Sequence, residues 1–180
     1  MSIDAGPMDV PRIRELIMAL TSQYFRANAG ILILNREGLV LAFERSDIKG
    51  AWQLPQGGVR PSEEPIDAAK RELHEETGIS LAKVRLEGEV PEWITYELPP
   101  EARSSKTGRG QAQKWFVFRF LGSDEDINLN LKRGAKEFVN YKWIRLESLI
   151  ETEPEFRKPV YRKLADLLGA ETFRSAQGSA

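Results

Sequence analysis

The chain has no cysteine among its 180 residues, which excludes a disulfide framework and a thiolate metal site. It has no apolar run near the roughly 20 residues needed to cross a bilayer. It also lacks an excess of one charge: 26 lysines and arginines stand against 27 aspartates and glutamates, for a net charge of −1. A dedicated duplex-DNA binder would usually be strongly basic, so that class is set aside. No charged start followed by an apolar core marks a secretory leader, and the expected compartment is the cytoplasm. The length suits one domain with its own core, with oligomeric state left open.

What the chain does have is a dense acidic stretch, GGVRPSEEPIDAAKRELHEETGI, from Gly57 to Ile79. Pro65 tolerates the first helical turn, Ser62 is placed to cap free amides, and Ala68 to Leu73 all favour helix. Gly78 should end the helix in a left-handed conformation. At about 100° per residue, Ile66, Ala69, Leu73 and Thr77 form a core stripe, and Glu72, Glu75 and Glu76 share the arc beside it. Like charges at i, i+3 and i+4 repel, so a compensating charge is required. Arg71 supplies part of it. A hard divalent ion, Mg²⁺ or Mn²⁺, suits the remaining convergent oxygens. A solvated face held by salt bridges is the other reading of three glutamates taken alone.

The order of residues adds more. Gly57, Glu63 and then Arg71-Glu72-Leu73-His74-Glu75-Glu76-Thr77-Gly78-Ile79 resemble the Nudix box at every defined position. The resemblance implies the Nudix fold, an α/β/α sandwich whose mixed central sheet carries a loop-helix-loop box on one face and a C-terminal helix on the other. It implies that Gly57, Glu72, Glu75 and Glu76 hold metal, that Arg71 orients the glutamates, and that Glu63 supports the loop or a further metal. Glu137, before a strand over Phe138 to Trp143, resembles the family's extra glutamate, as metal ligand or base; Glu72 is the alternative base. His74 fills a variable position and reads as solvated.

Around the box, Phe25 to Leu34 is apolar on both faces and predicts a buried central strand. Asn35 to Gly38 reads as a turn and Leu39 to Phe43 as the returning strand. Strands are also expected over Val84 to Val90, Ile94 to Leu98 and Gln113 to Leu121, the last with Trp115, Val117, Arg119 and Leu121 on one face. A helical turn is expected from Leu146 to Glu151, and a closing helix to about Leu168. Residues 1–23 form an extension whose apolar stripe, Ile13 to Leu20, predicts a helix from Val10 to Tyr24, and residues 170–180 read as a disordered tail. The domain itself is taken as 24–169.

The contiguous WQLPQGG and GQAQKWF resemble the branch of RNA pyrophosphohydrolases and diadenosine tetraphosphate hydrolases. That likeness implies a substrate-binding set of Arg26, Arg45, Gln56, Tyr96, Lys114, Phe156 and Arg157. Two of these have a plainer reading, Lys114 as a solvated edge charge and Phe156 as a hydrophobic staple, and Gly57 and Gly58 read equally well as an ordinary turn. The expected activity is metal-dependent hydrolysis of a phosphoanhydride in a nucleoside polyphosphate or a 5′-triphosphorylated RNA end. Asymmetric cleavage of diadenosine tetraphosphate and a catalytically silent nucleotide-binding module are the alternatives.

Overall fold

At the centre lies β1, Phe25–Leu34, with the bounds that its apolar run predicts. The structure is a computed structural model that describes residues 10, 11, 13, 24–104, 106–131 and 136–169. Most of the expected N-terminal helix and all of the expected tail lie outside these residues. Strand β1 is buried from Asn28 onward because both of its faces are covered and both of its edges are paired. The strand β7, Gly110–Phe120, runs parallel to it along its whole length, from Phe25↔Gly110 to Leu34↔Arg119.

The opposite edge of β1 is shared. The short β4, Gln56–Gly58, pairs antiparallel with Asn28, Ala29 and Gly30, whereas β2, Val40–Arg45, meets β1 only at Leu34↔Val40. Between β1 and β2, the Asn35 side chain accepts from the amides of Glu37 and Leu39 at 3.1 and 2.8 Å, and Gly38 takes φ +78°. Beyond the turn β2 diverges to pair with β3, Trp52–Gln53, and with β8, Phe138–Ile144. On the far side of the sheet, β5, Val84–Glu89, and β6, Ile94–Glu97, both pair with β7. The result is the expected mixed sheet, with eight strands.

Alternation along the central strands feeds two cores. Ile31, Ile33, Phe116 and Phe118 turn to α1, Pro65–Thr77, which buries Ala68, Ala69, Leu73 and Thr77 against them. Leu32, Leu34, Trp115 and Val117 turn the other way, to α2, Leu146–Thr152, and α3, Lys158–Gly169, with Leu149, Val160, Tyr161 and Leu164. This is the α/β/α arrangement expected. Burying such side chains is worth about 1.5–3 kcal/mol each, which makes the two layers the main source of stability. No described helix is long and apolar enough to cross a membrane.

Two local expectations need correction. Ser62 does not cap α1: it sits in the preceding turn at φ +64°, and Glu64 occupies the cap position without a side-chain bond. Pro61 and Pro65 leave fewer amides there for a hydroxyl to cap. Leu121 lies beyond the end of β7 and is exposed. Gly78 behaves as expected, closing α1 at φ +71° with its amide on the His74 carbonyl at 3.0 Å.

Candidate active site

The site begins with two glycines that point to opposite faces of β4. A Cβ on Gly57 would overlap the Glu72 carboxylate, and one on Gly58 would overlap the Arg26 guanidinium. Both side chains therefore lie directly against strand backbone, on opposite sides of it. Gly57 pairs with Ala29, which pairs in turn with Lys114, so the three share one row across the sheet. Lys114 is two strand spacings from Gly57, about 10 Å. Its ammonium donates to the Pro91 carbonyl at 2.9 Å and stands 3.2 Å from Glu89.

Arg71 organises the loop before α1. Its Nε and Nη2 donate to the two Glu63 carboxylate oxygens at 2.8 and 2.9 Å, Nη2 also reaches the Gly58 carbonyl at 3.0 Å, and Nη1 contacts Glu72. The Arg60 amide adds a bond to Glu63 at 2.8 Å. The Arg71 hydrogen bonds first, then that amide, pull the Glu63 carboxyl down to about 2. Its partner's guanidinium is raised by the same pair. Glu63 thus acts as the anchor of the box loop through Arg71.

The three box glutamates do not gather at one point, which corrects the convergence expected from the helical arc. Glu72 lies over Gly57, the Gln56 amide donates to Glu76 at 3.2 Å, and Glu75 leans outward, 3.8 Å from Arg60 and 3.9 Å from Arg71. No group of three acidic or imidazole side chains close enough to share an ion occurs among the described residues. The two guanidiniums are the physical reason, since each draws a carboxylate toward itself. The donor chemistry still fits a hard divalent cation: Glu72 and Glu76 both reach the β4 backbone, and every donor there is an oxygen. His74 is exposed, its Nδ1 within 3.1 Å of the Ile79 carbonyl. Glu137 is exposed at the start of β8. Its carboxylate, after that of Asp47, helps to raise the Arg45 guanidinium.

Four of the expected substrate residues meet on the α3 face of the sheet. Arg157 lies 6.0 Å from the Tyr96 ring centroid and 5.8 Å from that of Phe156, and the two rings are 5.8 Å apart. Gln53 links Arg157 to Arg45, its side-chain oxygen accepting from the two guanidiniums at 3.1 and 3.5 Å. Arg45 is also held by Asp47 through bonds of 2.8 and 2.6 Å. Gln56 belongs to a neighbouring amide group, where its oxygen accepts from Gln113, itself 3.5 Å from Asn28. A separate cavity of about 520 Å³ lies at the opposite end of β1, lined by residues such as Arg36, Arg119 and Arg145, and takes in none of the expected site residues.

Sequence reasoning missed two members of this cluster. Gln53 stood inside WQLPQGG without a role. Glu153 carried no signal at all: it falls between the helical turn expected from Leu146 to Glu151 and the closing helix. In the structure its side chain is only 1% exposed and 3.5 Å from Arg157. Burial pushes its carboxyl up to about 7 against the opposing effects of Arg157, Tyr161 and Arg45.

Residues 24–164 match the NUDIX domain. The chain belongs to the Nudix family. An RNA pyrophosphohydrolase of Cereibacter sphaeroides is 42% identical over 144 residues, covering 78% of this chain and 88% of that protein. Nudix hydrolase 25 of Arabidopsis thaliana is 38% identical over 156 residues, covering 81% and 87%. Among solved structures, a C. elegans Ap4A hydrolase in binary complex superposes with a TM-score of 0.56 at 22% identity, over 78% of this chain and 97% of its own. The E. coli dihydroneopterin triphosphate pyrophosphohydrolase gives 0.62 at 18%, over 81% and 99%. These two likenesses bear on the fold, and this Nudix chain shares it. Nudix hydrolases generally use divalent metal ions.

Proposed function

We propose that this Nudix hydrolase is a cytoplasmic RNA pyrophosphohydrolase, which removes diphosphate from 5′-triphosphorylated RNA. The observation that carries this reading is the pairing of Glu72 and Glu76 against the β4 backbone in a chain 42% identical to a protein of that name. Glu72, Glu75, Glu76, Glu137 and the Gly57 carbonyl would hold Mg²⁺ or Mn²⁺. The ion supplies Lewis acidity that neutralises phosphate oxygens. Arg71, tied to Glu63, holds the Glu72 carboxylate against Gly57. Glu72, or Glu137 from the β8 side, takes the proton of the attacking water.

Arg26, against Gly58, and Lys114, in the row through Gly57, neutralise the phosphate chain as a forked and a point cation. Arg45 and Arg157 bind its remote charges, Phe156 gives the terminal base an aromatic surface with the buried Tyr96 packed against it, and Gln56 contributes a side-chain amide. Triphosphorylated RNA and diadenosine tetraphosphate, offered side by side with Mg²⁺, test the assignment through kcat/KM. Preference for the RNA end is expected, and a higher value for the dinucleotide would replace the proposal with an asymmetric diadenosine tetraphosphate hydrolase. Glu76→Gln should remove most turnover with the circular dichroism spectrum unchanged. Wild-type turnover in that variant would refute the metal-dependent reading.

A further inference from the structure

Of the carboxylates that face the expected substrate cations, one is fixed. Asp47 on Arg45 is exposed, as is Glu89 beside Lys114, their side chains 58% accessible in both cases, so an incoming phosphate displaces them at little cost. Glu153 is enclosed. It sits at the C-terminal cap of α2, and the groups facing it come from every element around it: Arg157 and Tyr161 from α3 and the approach to it, Arg45 from β2, and Tyr96 from β6 beneath Arg157. Its Oε1 and the Arg157 Nε are both buried without a hydrogen-bond partner among the described residues. Gln53 accepts at 3.1 Å from the same guanidinium nitrogen, Arg157 Nη1, that faces Glu153.

We propose that Glu153 is a positioning residue for polyphosphate binding, whose buried carboxylate holds and neutralises Arg157, so that seating an anion on Arg157 draws a proton onto Glu153. An ionised Glu153 cancels the charge Arg157 offers to phosphate, and a protonated one restores it. Glu153 lies where it ionises around neutrality. Substrate phosphate beside Arg157 opposes the same ionisation, since two anions then share one cation. Affinity for a polyphosphate therefore falls as pH rises through 7, and binding takes up protons.

This inference rests on the substrate-binding role given to Arg157 above, and its test is separate from turnover. Diadenosine tetraphosphate is a suitable probe because none of its phosphates ionises near neutral pH. Its binding is measured calorimetrically at pH 7.5, in excess chelator and in buffers of different ionisation enthalpy, for the wild-type chain and for Glu153→Gln. Expected is uptake of roughly half a proton by the wild type and none attributable to this site in the variant. From pH 6.5 to 8.5 the wild-type Kd should rise several-fold, with the variant flat and tighter at the upper end. Equal proton uptake in the two proteins, or no binding by either, overturns the proposal. Hydrolysis with Mg²⁺ judges the catalytic reading alone, so turnover without a proton difference sinks only the role of Glu153, and a proton difference without turnover sinks only the catalytic assignment.

Discussion

Glu153→Gln is also the perturbation with the clearest consequence for stability. In the folded chain the carboxyl is raised to about 7 from an ordinary 4.5, mainly by burial. Between those values the folded state binds a proton that the unfolded state has released, so stability falls with rising pH. The contribution is fully present below about 4.5 and is lost as pH passes through 7. At about 1.4 kcal/mol per pH unit, the interval from 4.5 to about 7 amounts to about 3–4 kcal/mol as an upper bound. The carboxyls of Asp47, Glu63, Glu87, Glu97, Asp126 and Glu155 are all held below their ordinary range, and their stabilisation is lost only at more acid pH. The window from pH 5 to 8.5 therefore isolates Glu153. Urea unfolding across that window should show the wild type losing stability relative to Glu153→Gln, with the difference levelling above about pH 8. A difference between the two proteins that stays constant with pH would refute the claim that this carboxyl is forced to hold its proton.

Three further substitutions probe other parts of the molecule. Gly30→Ala would drive a Cβ into the Trp115 indole, and overpacking of this kind costs about 1–3 kcal/mol; a thermal melt should move down by about 4–10 °C, and an unchanged Tm would show that Trp115 can move aside. Arg71→Lys cannot keep two parallel bonds to Glu63. Turnover should fall by at least about tenfold, and the Glu63 carboxyl, followed by NMR, should titrate nearer its ordinary range than at about 2. Asp47→Ala frees Arg45 from an exposed carboxylate, so KM for triphosphorylated RNA should drop about two- to fivefold with kcat unchanged. A raised KM would mean instead that Asp47 holds Arg45 in its productive position.

Elements with long periodic patterns were legible from sequence, and those defined by their neighbours were not. The two-faced apolar run of β1 and the spacing of Ala69, Leu73 and Thr77 in α1 each specify one structure, because burial rewards only one backbone geometry. Strands β3 and β4 have two and three residues, too few for any period, and Gly57 and Gly58 read equally well as a turn. Strand β7 begins at Gly110, ahead of the expected Gln113, because pairing with β1 and β6 extends it through polar residues. In the site, the helical arc of Glu72, Glu75 and Glu76 was correct, but an arc fixes where side chains start and not where they end. Ion pairs with Arg60 and Arg71 decide that. Glu153 was invisible because the groups that face it, Arg45, Tyr96, Arg157 and Tyr161, come from distant stretches of the sequence and are brought together only by the fold.

The two adjacent glycines of β4 resolve a conflict inherent in binding a polyphosphate with acidic residues. The anion needs arginine and lysine close by, yet a guanidinium free to reach the box glutamates would pair with them and leave neither for the ligand. Successive residues of a strand face opposite ways, so Gly57 admits the Glu72 carboxylate on the α1 side and Gly58 admits the Arg26 guanidinium on the α3 side, with a single backbone between them. Among the described residues, the guanidinium that touches Glu72 is that of Arg71, and two bonds to Glu63 restrain it. Alanine at either position would remove that separation in a different way: at Gly57 it displaces the acid and should lower kcat, whereas at Gly58 it displaces the base and should raise KM. If both variants lost the same kinetic parameter, the strand could not be acting as the divider between the two charges.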